Sequence, residues 1–463
     1  MARRLLFAVP LALPVAFATA FAQTADPGKA VTAVRADYAL TNVRIVTAPG
    51  KVIERGTVLT RDGRIAAVGA TVQIPAGVTQ MDLSGHTVYA GLIDAATSIG
   101  LPSPSRPLPA MTAAGAAPAA GRGGGGGGGR GVPLGRGSAP PPPVVLPEVE
   151  ADAEAADMFA PTDDQLKAFR AGGVTTVGLV FDGGLFPGRV GSALTGTRGG
   201  SPLALRAASG QVVAFGTKRG GAYPGTGIGA VAFIRQAFLD AQYEARLDKA
   251  FKAGTPGARP SNDPFSRALV PAATSEMSSW FVASTERQIV RVAEIAKELG
   301  LKTPVVVGSQ EGWRVIANLK STGATAVVSL QWPSPDSITG RAFLAVGSGK
   351  SGTAPATTAA DTAEVRANAA ALTKAGVPVA FASYGGESGN TFRDRIRLTI
   401  AAGMSPDDAL RAATVTPAAV LGISAAVGTI EVGKLANFVI VTGNDLFAAT
   451  NPIKHVFIEG RIY

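Results

Sequence analysis

Thr285-Glu286-Arg287-Gln288-Ile289-Val290-Arg291-Val292-Ala293-Glu294-Ile295-Ala296-Lys297-Glu298-Leu299-Gly300, followed by Pro304-Val305-Val306-Val307, reads as one helix and then one strand. Thr285 and Gln288 have capping-box spacing, in which each side chain serves the other residue's backbone N–H. Ile289, Val292, Ala293 and Ala296 fall on one helical face. Gly300 supplies a terminator. The unbroken valine run suits a strand covered on both faces.

The same unit recurs on either side. Thr162-x-x-Gln165 opens a helix with Leu166 and Phe169 on one face, Gly172 ends it, and Val174–Val180 follows as a strand. Asp361-x-x-Glu364 is expected to open a third helix, ahead of the strand Val377-Pro378-Val379-Ala380-Phe381. Ser405-Pro406-Asp407-Asp408 starts a fourth, with proline in its first turn. Repeated helix–strand units with apolar strands imply a parallel sheet covered by helices. No G-x-G-x-x-G follows a strand here, so the expected fold class is α/β, a (β/α)8 TIM-like barrel rather than a doubly wound sheet.

Both flanks read as β structure. Tyr38–Leu40, Val43–Val46, Gly56–Thr60 and Arg64–Gly69 are short strands, the last two joined by an Asp62-Gly63 turn. Gly428–Glu431, Asn437–Val441 and His455–Gly460 are the strands expected at the other end. The expected organisation is a composite β-sandwich from 37–90 plus 428–463, around a barrel at 91–427. Within that barrel, 103–146 is a Gly/Pro-rich insertion expected to be disordered: glycine runs unbroken from Gly123 to Gly129, and proline from Pro140 to Pro143.

Residues 1–22 are expected to be a signal peptide. Arg3 and Arg4 precede the apolar run Leu5–Ala20, and Ala20-Phe21-Ala22 fits a cleavage site. A membrane anchor is the other reading, but the run is short and broken by Pro10 and Pro14. The expected location is periplasmic or secreted, with no membrane span after cleavage. The chain has no cysteine, which excludes disulfides, thiolate nucleophiles and thiolate metal sites. The net charge of +10 is dispersed, which suits solubility better than an anionic partner, and no nucleic-acid partner is expected. A small-molecule ligand is the expected partner; oligomeric state is not legible in the sequence.

Four motifs carry a family resemblance. Ala90-Gly91-Leu92-Ile93-Asp94-Ala95-Ala96-Thr97-Ser98 resembles the strand-one signature P-G-L-I-D-x-H-x-H of the amidohydrolase superfamily. Gly403–Leu410 resembles its A-G-L-S-P-x-E-A-L, Ala413–Gly422 its A-T-x-N-P-A-x-x-L-G, and Gly428–Val439 its G-S-I-E-x-G-K-x-A-D-L-V. The order is similar to the imidazolonepropionase-like and dihydroorotase-like branches. The resemblance implies a barrel with a composite β domain and hydrolysis of non-peptide C–N bonds. It also implies one or two divalent metals, commonly zinc, held by strand-end histidines and a late aspartate.

The chain departs from that pattern at the ligands. Its two histidines are His86 and His455, neither within a barrel motif. Ala96 and Ser98 stand at the paired-histidine positions, Val282 or Ala283 at the strand-five position, and Val307 or Gly308 at the strand-six position. Tyr384 follows Ser383 where the family often has aspartate, and Lys218 is the nearest candidate for a bridging lysine. No metal ligand is therefore assigned, and no cofactor is expected. The catalytic candidates are Asp94 and Glu387; Asp94 has a second, architectural reading. The carboxylates Asp94, Asp182, Glu311 and Glu387 follow separate strands and would make an oxygen-ligand site only if they converged. Ala96, Ser98 and Tyr384 are ligand-binding candidates at the barrel mouth. Lys218 and Tyr223 are candidates in a glycine-rich loop that reads either as an anion cradle or as a flexible connection. Two functions follow: a hydrolase of non-peptide C–N bonds by resemblance, or an exported binding or accessory protein that kept the fold and lost the metal chemistry.

Overall fold

The computed structural model describes residues 37–102, 149–216, 224, 226–261, 263–332, 359–384 and 391–463. The proposed signal segment, the 103–146 insertion, Lys218, Tyr223 and Glu387 lie outside the described residues.

Strands β1 (Tyr38–Ala48), β2 (Lys51–Arg61), β3 (Arg64–Gly69), β4 (Thr79–Asp82) and β5 (His86–Ala90) form the N-terminal part of one sheet. The two short strands expected at 38–46 are one strand, because Asn42 takes a left-handed φ of 57° and the ladder with β2 shifts register there instead of breaking. The Asp62-Gly63 turn is present, both residues having positive φ.

The barrel strands follow. They are β6 (Leu92–Thr97), β7 (Val174–Leu179), β8 (Arg189–Arg198), β9 (Ser201–Ala214), β10 (Ser278–Ala283), β11 (Val305–Gly308), β12 (Thr325–Ser329) and β13 (Val379–Ala382). Helices α1 (Asp163–Ala171), α2 (Gly227–Lys252), α3 (Pro264–Ala273), α4 (Glu286–Leu299), α5 (Ile316–Ser321) and α6 (Ala359–Lys374) lie between them. Helices α7 (Phe392–Ala401), α8 (Pro406–Ala413) and α9 (Val415–Val420) come after β13. The last strands, β14 (Phe438–Thr442), β15 (Ile453–Ile458) and β16 (Arg461–Ile462), return to the first sheet.

That first sheet has eight strands, in the order β16-β15-β14-β5-β1-β2-β3, with β4 paired to β1. Strands from both chain ends are thus hydrogen-bonded into one sheet. Leu40, Ile45, Val58, Val88, Phe438, Ile440 and Phe457 pack together in its core. Gly428–Glu431 is not a strand; it is tied to the sheet by the Ile430 N–H, which donates to Thr47 O at 2.8 Å.

The second sheet has eight strands in sequential order, β6 to β13, and is a nearly closed barrel. It departs from a regular (β/α)8 barrel at β8, which is antiparallel to both neighbours. The reason is local. Gly199 and Gly200, both with positive φ, join β8 to β9 in a tight turn, whereas a parallel pair needs a crossover of about a dozen residues or more.

The helix ends obey the sequence. Thr162/Gln165 and Thr285/Gln288 form reciprocal capping boxes, and Gly300 caps α4 in the left-handed region. Ser405 caps α8 ahead of Pro406. Helix α6 begins at Ala359, two residues before the Asp361 expected to open it.

Candidate functional site

Inward-facing side chains fill the barrel. Ile93 and Ala95 (β6), Val190 (β8), Val212 (β9), Trp280 (β10), Val305 and Val307 (β11), Val327 (β12) and Ala380 and Ala382 (β13) form one buried cluster. This is the packed interior expected of a small barrel, with reactive groups left to the C-terminal strand ends. Ala96 and Tyr384 belong to the same cluster, and Val282 packs against it.

Asp94 is wholly buried at the seam between the first and last strands. Its carboxylate accepts from the Ser383 backbone N–H at 2.9 Å, the Ser383 hydroxyl at 2.5 Å and the Ala96 N–H at 3.3 Å. Burial pushes its pKa up to about 7, against the pull of the Ser383 and Ala96 hydrogen bonds. No backbone ladder joins β13 to β6, so this carboxylate bridges the gap. The architectural reading of Asp94 has its physical basis here.

Tyr384 follows on the same side. Its hydroxyl donates to Asp182 Oδ1 at 3.2 Å, and its backbone carbonyl accepts from the Ser329 hydroxyl at 2.7 Å. Burial, then the Asp182 charge, raises the phenol well above its ordinary value. Glu311 turns elsewhere: its Oε2 accepts from the Glu286 N–H at 2.6 Å, at the start of α4. Ser98 is half-buried just past β6.

Asp94, Asp182 and Glu311 are therefore each engaged by a different partner and do not converge. Among the described residues, no group of three or more His, Asp or Glu side chains could hold a metal ion. The donor set does not fit the family's divalent metal. Val282 or Ala283 at the strand-five position and Val307 or Gly308 at the strand-six position offer no side-chain lone pair; at strand one Ala96 offers none and Ser98 only a hydroxyl, a poor ligand. His86 and His455 lie in the terminal sheet, at the edge of β5 and on β15.

Sequence reasoning missed two features. Ser383 is the main donor to Asp94; the only sequence signal was its place at the end of a core strand. Gly210 on β9 leaves the space that Trp280 fills, since a Cβ there would lie 2.2 Å from Trp280 Cδ1.

Residues 314–463 match the sequence model of the amidohydrolase family. The three C-terminal motifs fall inside that span; the Ala90–Ser98 motif falls outside it. No curated protein matches the chain. Among solved structures, an amidohydrolase from Thermotoga maritima MSB8 is 20% identical, with a TM-score of 0.69 over 92% of this chain and 99% of that one. A Xaa-Pro dipeptidase with bound methionine is 15% identical, with a TM-score of 0.51 over 92% and 100%. A putative prolidase from Bifidobacterium longum is 16% identical, with a TM-score of 0.50 over 93% and 95%. At these identities the structures show a shared fold. The C-terminal third of the chain thus matches the family's sequence model, and the whole described chain shares its fold with these structures.

Proposed function

We propose that this chain is an exported binding or accessory protein on an amidohydrolase scaffold, without metal-dependent hydrolysis. One observation carries the reading. The strand-end positions that would hold the metal are Ala96 and Ser98, Val282 or Ala283, and Val307 or Gly308, and Ala96, Val282 and Val307 are buried in or packed against the barrel's apolar cluster. A Lewis-acid site needs imidazole or carboxylate lone pairs at those positions, and only the Ser98 hydroxyl, a poor ligand, is offered. In this reading residues 1–22 are cleaved and the mature protein is periplasmic or secreted. It holds no resident metal, and a small molecule is met by Ser98, Tyr384 and the loop bearing Lys218 and Tyr223. The barrel at 91–427 and the composite β-sandwich at 37–90 plus 428–463 serve as its scaffold.

A second reading keeps a hydrolase of non-peptide C–N bonds. Its support is the Asp94 carboxyl, whose pKa near neutrality suits proton transfer, with Glu387 as its partner. Solved structures of the same fold include proteins named as hydrolases, such as phenylurea hydrolase B. The complete burial of Asp94 favours the first reading.

Elemental analysis of the mature protein, produced with zinc, manganese and magnesium supplied, separates the two metal outcomes. The expected result is substoichiometric metal. A stoichiometric divalent ion that survives dialysis overturns the proposal. Mass spectrometry of the exported protein tests the location, with Gln23 expected as the first residue.

A further inference from the structure

Helix α2, 26 residues from Gly227 to Lys252, is the longest helix among the described residues. One face packs inward through Ala230, Ile234, Ala237, Phe238, Ala241 and Glu244. The other face carries Gln236, Leu239, Asp240, Tyr243, Arg246 and Leu247 in line at helical spacing. Leu239 is 43% exposed and Tyr243 55%, and Leu247, one turn on, is half-buried. The neighbouring helix α4 shows what an ordinary solvent face is in this chain. Its exposed residues are Glu286, Arg287, Arg291, Glu294, Lys297 and Glu298, all charged. An apolar ridge on α2 is therefore a candidate contact surface.

The sequence of the ridge identifies its partner. Residues 239–247 read Leu-Asp-Ala-Gln-Tyr-Glu-Ala-Arg-Leu. About Tyr243 the stretch is nearly its own reverse. Leu239 answers Leu247, Ala241 answers Ala245, and Asp240 answers Arg246 with the opposite charge. Two copies of a helix related by a two-fold axis across it run antiparallel. Residues equally far before and after the axis then meet, and each contact occurs twice. With the axis at Tyr243, leucine meets leucine and aspartate meets arginine on both sides. Like charges at 240 and 246 would have opposed that arrangement.

These two charges are available for the contact. Arg235 is paired with Glu298, and Lys252 with Asp248 at 2.6 Å. Asp240 accepts from the Gln236 amide at 2.7 Å, and the Arg246 guanidinium lies over the Tyr243 ring, 5.7 Å from its centroid. Among the described residues, neither Asp240 nor Arg246 has an ion-pair partner. Tyrosine and arginine are enriched at protein interfaces, and here they form one patch.

We propose that the chain forms a two-fold symmetric dimer through α2, with Tyr243 packed on its own copy at the axis and Asp240 paired with Arg246 of the partner subunit. Burial of Leu239, Tyr243 and Leu247 drives the association, and the two charge pairs fix its register. A different protein would not require the ridge to complement itself. The contact uses an outer helix face and no residue of the barrel mouth, so it stands whether or not the mouth binds a ligand.

Sedimentation equilibrium of the mature full-length chain, from about 1 to 100 μM, should show a monomer–dimer equilibrium. Asp240→Arg and Arg246→Asp should each weaken dimerisation at least tenfold, because each sets two like-charged pairs across the axis. Both positions are exposed, so neither substitution disturbs the core. Mixed in equal amounts, the two variants should pair with each other, since both contacts then join unlike charges. The double variant should regain the parent's affinity. The chain has no cysteine, so Tyr243→Cys can be joined to its own copy by a short bis-maleimide. Val432→Cys, also exposed, should not be joined. A monomer throughout the range, a dimer indifferent to both reversals, a mixture that fails to pair, or Tyr243→Cys joined no better than Val432→Cys overturns the proposal.

Discussion

Ser383 donates both its backbone N–H and its hydroxyl to the carboxylate of Asp94, at 2.9 and 2.5 Å, across the seam between the last and first strands of the barrel. Two residues 289 positions apart thus close a sheet whose ladder stops short of closing. The carboxylate makes the bond that a backbone carbonyl would make in a regular barrel. Its burial sets the first prediction.

The pKa of Asp94 rises from 3.8 to about 7 on folding. Between those values the native state binds the proton more tightly than the unfolded state does. The Asp94 contribution to stability therefore falls as pH rises through that window, and the loss is complete above about 7. The size is on the order of 4 kcal/mol. Asp94→Asn keeps an acceptor for the Ser383 N–H and cannot ionise. Urea denaturation should show the variant gaining on the parent as pH rises from 4 to 8. Equal pH dependence in both proteins would refute the assignment.

Gly210 and Trp280 should behave as a matched pair. A Cβ at residue 210 would sit 2.2 Å from Trp280 Cδ1 and 2.3 Å from Nε1. Gly210→Ala should cost about 1–3 kcal/mol through overpacking. Trp280→Ala should cost about 3–5 kcal/mol through the cavity it leaves. Combining them should cost less than the sum, because the new methyl then has room; a chemically determined double-mutant cycle reads this directly.

Tyr384→Phe removes a donor to Asp182, an O–H···O bond of 3.2 Å. A loss of about 1 kcal/mol is expected, and Asp182→Asn should show a coupling of similar size with it. Additive effects in denaturant melts would mean that the bond contributes nothing.

Thr285 should matter more than its partly buried position suggests. Its hydroxyl accepts from the Gln288 N–H at 3.4 Å, and Gln288 Oε1 returns an acceptor to the Thr285 N–H at 3.2 Å. Thr285→Ala should cost about 0.5–2 kcal/mol in thermal or urea unfolding. Thr285→Ser should cost much less.

Much of the fold was legible in the sequence because its signals are local. Capping boxes at Thr162 and Thr285, the Asp62-Gly63 turn and the valine run at 305–307 act over a few residues, and each stands where it was expected. The residues at the positions where the resemblance would put histidines were equally legible, and alanine and valine carry no ligating atom in any conformation. Helix α2 and the β8–β9 hairpin were not read. The hairpin's antiparallel turn depends on two glycines, Gly199 and Gly200, whose backbone freedom permits many conformations and dictates none.

The sequence by itself determined the locally capped helices and apolar strands, and which chemistry the side chains can supply. Tertiary structure alone decided what those side chains meet. It set Asp94 against Ser383, 289 residues away, and excluded water from the pair. It turned Glu311 toward α4 and away from the other carboxylates. It buried Glu244 with one oxygen unanswered. The physical reason is the same in each case: desolvation and hydrogen-bond partnership depend on distance through space, and a chain order encodes that distance only through the packing of the whole.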